Sequence, residues 1–230
     1  MENRIVLGID NSLDFLNIVI SSGDSIVEER HIGNKRTPSG IIGMEVSDML
    51  SSNNFTFDDI RAIIVTLGPG SFTGIRVALA FCKGIASGRN IPVNGVPTLD
   101  VLASPFAFME GHFLCPLIDA KKHEVFCSLY FVSHGQIERI REYATIKPER
   151  IKDFVNTPCL CFGTGINICE KHLLDIGKGI TIKKGFSENI AGEAIIREGL
   201  KRSASDMAGR LMPIYGRKSE AEIKFNVSLT

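Results

Sequence analysis

The stretch Ile64-Val65-Thr66-Leu67-Gly68-Pro69-Gly70-Ser71-Phe72-Thr73-Gly74-Ile75-Arg76 constrains the fold most, because a β-branched run breaks into a glycine-rich turn and reopens with helical spacing. That order, strand then glycine turn then helix, is the architecture of an anion-binding loop. Glycines permit positive φ and close backbone approach, and the first N–H groups of the following helix lack intrahelical partners. The two common nucleotide loops are excluded by spacing. No Lys-Ser/Thr pair follows, as a P-loop requires, and Gly74 falls one residue late for the dinucleotide fingerprint.

Around this stretch the chain alternates strand and helix. Ile5 to Ile9 reads as a strand that ends in a carboxylate and a hydroxyl, Asp10 and Ser12. The alternating run from Phe15 to Ile20, the turn at Ser21-Ser22-Gly23-Asp24 and the strand Ser25 to Glu29 complete a three-strand meander. A poorly patterned helix from Ser39 to Leu50, a strand from Arg61 to Leu67, a helix from Phe72 to Ser87, a strand from Pro92 to Val96 and a helix from Pro97 to Phe106 follow. Three strands followed by alternating helix and strand predict a mixed sheet covered on both faces.

The second half echoes the first. Cys115-Pro116-Leu117-Ile118-Asp119 repeats the strand-then-aspartate opening, Glu124 to Gly135 repeats the hairpin, and Cys159 to Gly165 repeats the strand and glycine turn. Three matches in the same order predict a duplicated unit, with a first lobe over residues 1–106 and a smaller second lobe over 107–230 whose last segment returns to the first.

Composition narrows the function classes. Lys plus Arg and Asp plus Glu are 26 each, so the basic surplus of a chain that grips nucleic acid alone is missing. The charge is uneven, with ten acids and four bases in residues 1–60 against ten bases and six acids in residues 178–230. A solvated charged surface explains that asymmetry more simply than an RNA site. Charges at Glu2, Arg4, Asp10 and Asp14 argue against a signal peptide, and no apolar run is long enough to span a bilayer, so a cytoplasmic chain without membrane contact is expected. Most of the six cysteines fall in apolar segments, where a reduced Cys packs as a small hydrophobe. Cys159, Cys161, Cys169 and His172 make a poor metal set because Cys-x-Cys lacks the usual spacer. The five histidines show no paired spacing, and neither a G-x-S-x-G elbow nor a Cys-His nucleophile pair is present.

Strand-Gly8-Ile9-Asp10-x-Ser12, the loop Gly68 to Arg76, the segment Ile91 to Leu99 and the tail Pro213-Ile214-Tyr215-Gly216-Arg217 with Glu220-Ala221-Glu222 together resemble the TsaB family, formerly called YeaZ. The resemblance implies a two-lobed α/β fold of the actin, Hsp70 and sugar-kinase type, ribonuclease H-like in each lobe. It implies a non-catalytic dimerisation subunit in making threonylcarbamoyladenosine beside the tRNA anticodon. Its expected partners are a TsaD-type catalytic subunit, a TsaE-type ATPase, a second copy of itself when TsaD is absent, and tRNA only through the complex. The sister family TsaD carries two metal-binding histidines four apart after the corresponding strand, and here Thr98 and Leu102 stand at the matching positions, so that metal site is not expected. An ATP-dependent small-molecule kinase or ATPase of the same superfamily is the alternative. Against it stand the short second loop Gly163-Thr164-Gly165 and the lack of an obvious base near Asp119.

The glycine loop has two readings. Asp10, Ser12, Gly68, Gly70, Ser71, Thr73 and Gly74 could form a vestigial site with weak affinity for ATP or ADP, or the turn is kept because helix packs on sheet too closely for a side chain. The packing reading is preferred. The helix that follows is apolar or small on nearly every side, whereas covering one sheet needs a single stripe. With the resemblance, Gly74, Ile75, Ala78, Phe81, Cys82 and Ile85, with Ile42, Val46 and Met49 of the preceding helix, are expected at the partner interface. That preceding helix departs from the family. Relatives read Arg-x-His-Ser-Glu before a Leu-Leu-Pro run, while Lys35 to Glu45 here includes Pro38, Gly40 and Gly43. Each helical glycine costs about 1 kcal/mol relative to Ala, so a displaced or frayed start is expected.

Overall fold

The computed structural model describes residues 4–33, 40–185, 190–202 and 211–216. Strands β1 (Ile5–Asp10), β2 (Phe15–Ser22) and β3 (Ser25–Gly33) form the meander, and β3 runs four residues past the expected end. Helix α1 (Ile41–Ser52) is followed by β4 (Ile60–Thr66), α2 (Phe72–Arg89), β5 (Val93–Val96) and α3 (Thr98–Ala103). Helix α1 begins after Gly40, which supplies no side-chain cap, and this matches the weak start that the glycines predict. Residues 34–39, including Thr37 to Ser39, lie outside the described residues.

The second unit consists of β6 (Phe113–Lys121), β7 (Glu124–Ser133), β8 (Gln136–Ile146), a 3-10 helix at Pro148–Asp153, β9 (Cys159–Phe162), α4 (Ile166–Leu174) and β10 (Ile180–Lys183). Helix α5 (Gly192–Leu200) ends the regular structure among the described residues. The two sheets have one design. The first is ordered β3-β2-β1-β4-β5 and the second β8-β7-β6-β9-β10. In each, an antiparallel three-strand meander is extended by two parallel strands. The strand order bears out the duplication read from the sequence.

Three apolar cores separate the layers. Ile5, Leu7 and Ile9 of β1 face α1 and α2, packing with Ile42, Val46, Met49, Ala78 and Cys82. The opposite face, with Val6, Val19 and Ile64, shares one core with α3, α5 and the inner face of the second sheet, including Leu114, Phe126 and Phe162. The outer face of the second sheet packs on α4 and the 3-10 helix around Leu117, Leu129, Ile151 and Leu173. Period-2 alternation thus sends the two faces of the central strands, such as β1, β4, β6 and β7, to two different cores. Close approach of α5 needs small residues: a Cβ on Gly199 would lie 2.4 Å from Ile64, and one on Gly8 3.2 Å from both Ile195 and Ile196. Asp100 of α3 fastens the units together. Its carboxylate accepts from the hydroxyls of Tyr130 (β7) and Tyr143 (β8), each at 2.7 Å, and from the Arg202 guanidinium at 2.6 Å. Burial, then the Asp100 charge, raises both tyrosine pKa values.

Candidate functional site: a closed glycine loop beside an exposed helix face

The end of β1 meets the turn after β4. Asp10 is fully buried, and Oδ1 accepts from Ser12 N–H (3.1 Å), Ser12 Oγ (2.5 Å) and Thr66 Oγ1 (2.6 Å), while Oδ2 accepts from Asn17 Nδ2 (2.8 Å). Burial raises its pKa against the lowering effect of those hydrogen bonds. A carboxylate with four protein donors is turned inward, towards the sheet, and is committed to holding β1, β2 and β4 in register.

The loop itself is closed onto the backbone of residues 11 and 12. Ser71 N–H donates to the Ser12 carbonyl at 2.7 Å, and the Ser71 hydroxyl caps α2 by accepting from Gly74 N–H at 3.2 Å. Asn11 Nδ2 donates to the Gly74 carbonyl at 3.2 Å. The glycines have a steric cause. A Cβ on Gly70 would lie 2.1 Å from the Ser12 carbonyl oxygen, and one on Gly74 1.9 Å from that of Asn11. Gly68 has φ +97°, and its carbonyl accepts from Thr98 N–H at 2.8 Å. Asp10, Ser12, Ser71 and Gly74 are thus joined in one chain of hydrogen bonds, Gly70 packs on Ser12, Gly68 bonds Thr98, and Thr73 is exposed. Close packing on the main chain of residues 11 and 12 accounts for Gly70 and Gly74.

Thr98 and Leu102 are both buried in α3, and among the described residues no group of three His, Cys, Asp or Glu side chains is arranged to hold a metal ion. Cys159 and Cys161 lie with Cys169 inside the outer core of the second sheet, Sγ to Sγ 3.8 Å for the first two.

The helix residues expected at an interface divide by burial. Of the nine residues expected at an interface, Ile42, Val46, Met49, Gly74, Ile75, Ala78 and Cys82 are buried within the chain. Only Phe81 and Ile85 remain partly accessible. Nearly all-round apolarity identifies a helix with two partners but not which side meets which, and here the sheet takes that set. The side left to solvent carries Met44, Phe72, Val77, Ala80, Phe81 and Ile85, with Met44 56% and Phe72 42% exposed. The sequence signal that could have found them is their offset of two to three residues from the buried stripe.

Fold and site together define a two-lobed α/β protein built on two five-stranded mixed sheets, with a glycine loop packed against the end of β1. The family model described as TsaD, tRNA N6-adenosine threonylcarbamoyltransferase, matches residues 35–160, and the chain belongs to that family. Over nearly its full length it is similar to the tRNA threonylcarbamoyladenosine biosynthesis protein TsaB of Bacillus subtilis, at 27% identity over 96% of this chain and 97% of that one. The TsaB of Escherichia coli is 27% identical over 64% of each chain. The tRNA N6-adenosine threonylcarbamoyltransferase of Clostridium botulinum is 32% identical, but over only 45% of this chain and 28% of its own. Among solved structures, YeaZ from Pseudomonas aeruginosa superposes with a TM-score of 0.74 at 22% identity, covering 91% of this chain and 100% of that one. A Pseudomonas aeruginosa protein described as similar to peptidase YeaZ gives 0.77 at 22% identity, covering 93% and 100%. These neighbours support the fold. Among the described residues no helix is long and apolar enough to cross a membrane.

Proposed function

We propose that the chain is a non-catalytic scaffold subunit in forming the threonylcarbamoyl group on the tRNA adenosine next to the anticodon. In this reading a TsaD-type subunit supplies the active site, a TsaE-type ATPase completes a cytoplasmic assembly, and the chain pairs with itself when TsaD is absent. The lobes divide after residue 106, and tRNA is held by the complex, consistent with the zero net charge of this chain. The observation that carries the proposal is the contrast between a loop whose aspartate is spent on internal hydrogen bonds and whose glycines lie against the Ser12 and Asn11 main chain, and an apolar helix face that stays exposed. The full-length likeness to TsaB and the partial likeness to the transferase support it. ATP or ADP, if bound, would meet an already occupied Asp10.

Co-expression with a TsaD candidate followed by size-exclusion chromatography tests the reading. Ala80→Glu places a charge on the exposed face and should abolish co-elution with the thermal melt unchanged, because a desolvated unpaired charge costs several kcal/mol in the complex. Ala78→Glu puts the same charge into the core and should unfold the monomer. Co-elution that survives Ala80→Glu would defeat this interface.

A further inference from the structure

The segment Leu211–Gly216 touches both lobes at the mouth of the glycine loop. Leu211 is buried in the core under α2, and its carbonyl accepts from Lys83 Nζ at 2.8 Å. Ile214 N–H donates to the Leu67 carbonyl at 2.7 Å, and the Ile214 carbonyl oxygen lies 2.6 Å from where a Cβ on Gly68 would be. Tyr215 accepts from Arg76 Nε at 2.8 Å, with its ring 5.0 Å from that of Phe72. Gly216, at φ +65°, crosses to the other lobe: its carbonyl accepts from Thr145 Oγ1 of β8 at 2.5 Å, and a Cβ there would lie 2.7 Å from the Phe126 ring of β7.

We propose that Leu211–Gly216 is a latch that crosses from the first lobe to the second beside the glycine loop, in addition to the shared core and the Asp100 junction, and that releases at its Gly216 end. The attachments are unequal. The first lobe holds the segment by a buried leucine, three hydrogen bonds and an aromatic contact, whereas the second holds it by one hydroxyl and one ring. Thermal opening follows the weaker attachment. The Phe126 ring and Pro69 are then uncovered while Ile214 keeps its place against Gly68, so that access to the outer side of the loop is set by a segment more than 140 residues away in sequence.

Amide hydrogen exchange on the full chain tests this with two variants. Thr145→Val removes only the hydroxyl, and Gly216→Ala drives the segment off Phe126 while leaving every attachment to the first lobe in place. Each should speed exchange by about tenfold at the amides of β7 and β8 around Phe126 and Thr145, with Ile214 N–H and Thr98 N–H, both bonded within the first lobe, unchanged. Helices α1 and α4 should be unaffected. A rise confined to residues 211–216, a uniform rise that follows a fall in melting temperature, a rise in Gly216→Ala alone, or no rise at all would each overturn the latch.

Discussion

Asp10 at the end of β1 and Asp119 near the end of β6 hold corresponding places in two sheets of identical strand order, yet one is buried among four donors and the other bonds Lys121 at the surface. The turns beside them did not diverge. A Cβ on Gly70 would lie 2.1 Å from the Ser12 carbonyl oxygen, and one on Gly163 2.2 Å from that of Leu117. Backbone closeness persists whether or not a carboxylate is buried next to it, so the glycines answer to packing and the aspartate to its own hydrogen bonds. The outer helices differ as well: α4 turns Asn167 and Lys171 outwards, while α2 turns out Phe72 and Ala80.

The strongest way to break this comparison is to fill the two turns. Gly70→Ala and Gly163→Ala should each cost about 3 kcal/mol or more, from a main-chain collision plus a positive φ, and chemical denaturation should show the two losses to be similar. A large loss in the first lobe alone would mean that the turns are not equivalent.

Next in size is the pair of aspartates. Asp10→Ala strands Asn17 and Thr66 and should cost about 2 kcal/mol, against less than about 0.5 for Asp119→Ala. The pH dependence has a defined sign. A carboxyl whose folded pKa is raised contributes stability that is complete below its unfolded value, near 3.8, and is lost as pH rises through the folded value. Urea titrations of Asp10→Asn should therefore show its deficit relative to the unmodified chain shrinking as pH rises. A deficit that grows with pH would mean that Asp10 titrates in the opposite direction.

The smallest effect sharpens the comparison at the sheet edges. Arg30 of β3 ties Glu45 of α1 at 3.1 Å, and Lys184, next to β10, ties Glu170 of α4 at 2.6 Å. The first pair is the less exposed, with side chains at 25% and 21% against 63% and 33%. Arg30→Ala should cost about 0.5–1 kcal/mol in thermal melts at low salt and Lys184→Ala less, with both differences shrinking at high salt.

Much of the architecture was legible because glycine punctuates the ends of β2, β4, β7 and β9 and because β2 alternates over a short run. The meander, the strand before the loop and α2 fell within a few residues of expectation. The Asp100 junction was not legible, since Tyr130, Tyr143 and Arg202 are 30, 43 and 102 residues away and no local period links them. The orientation of α2 was not legible for a related reason. A helix apolar on two sides satisfies the same spacing in either orientation, and only the position of the sheet decides between Ala78 and Ala80.

Helix α5 lies on β1, β2, β4 and β5, so the inner face of the first sheet is completed by residues 192–200. On a ribosome, which releases the chain from its N-terminus, the first hundred residues emerge with Val6, Val19 and Ile64 bare and must wait for nearly the whole chain before that face is sealed. A nascent chain stalled near residue 110 should accordingly be a client for chaperones. A circular permutant that begins at α5 and continues into β1 would shorten the wait and should give more soluble protein per ribosome passage.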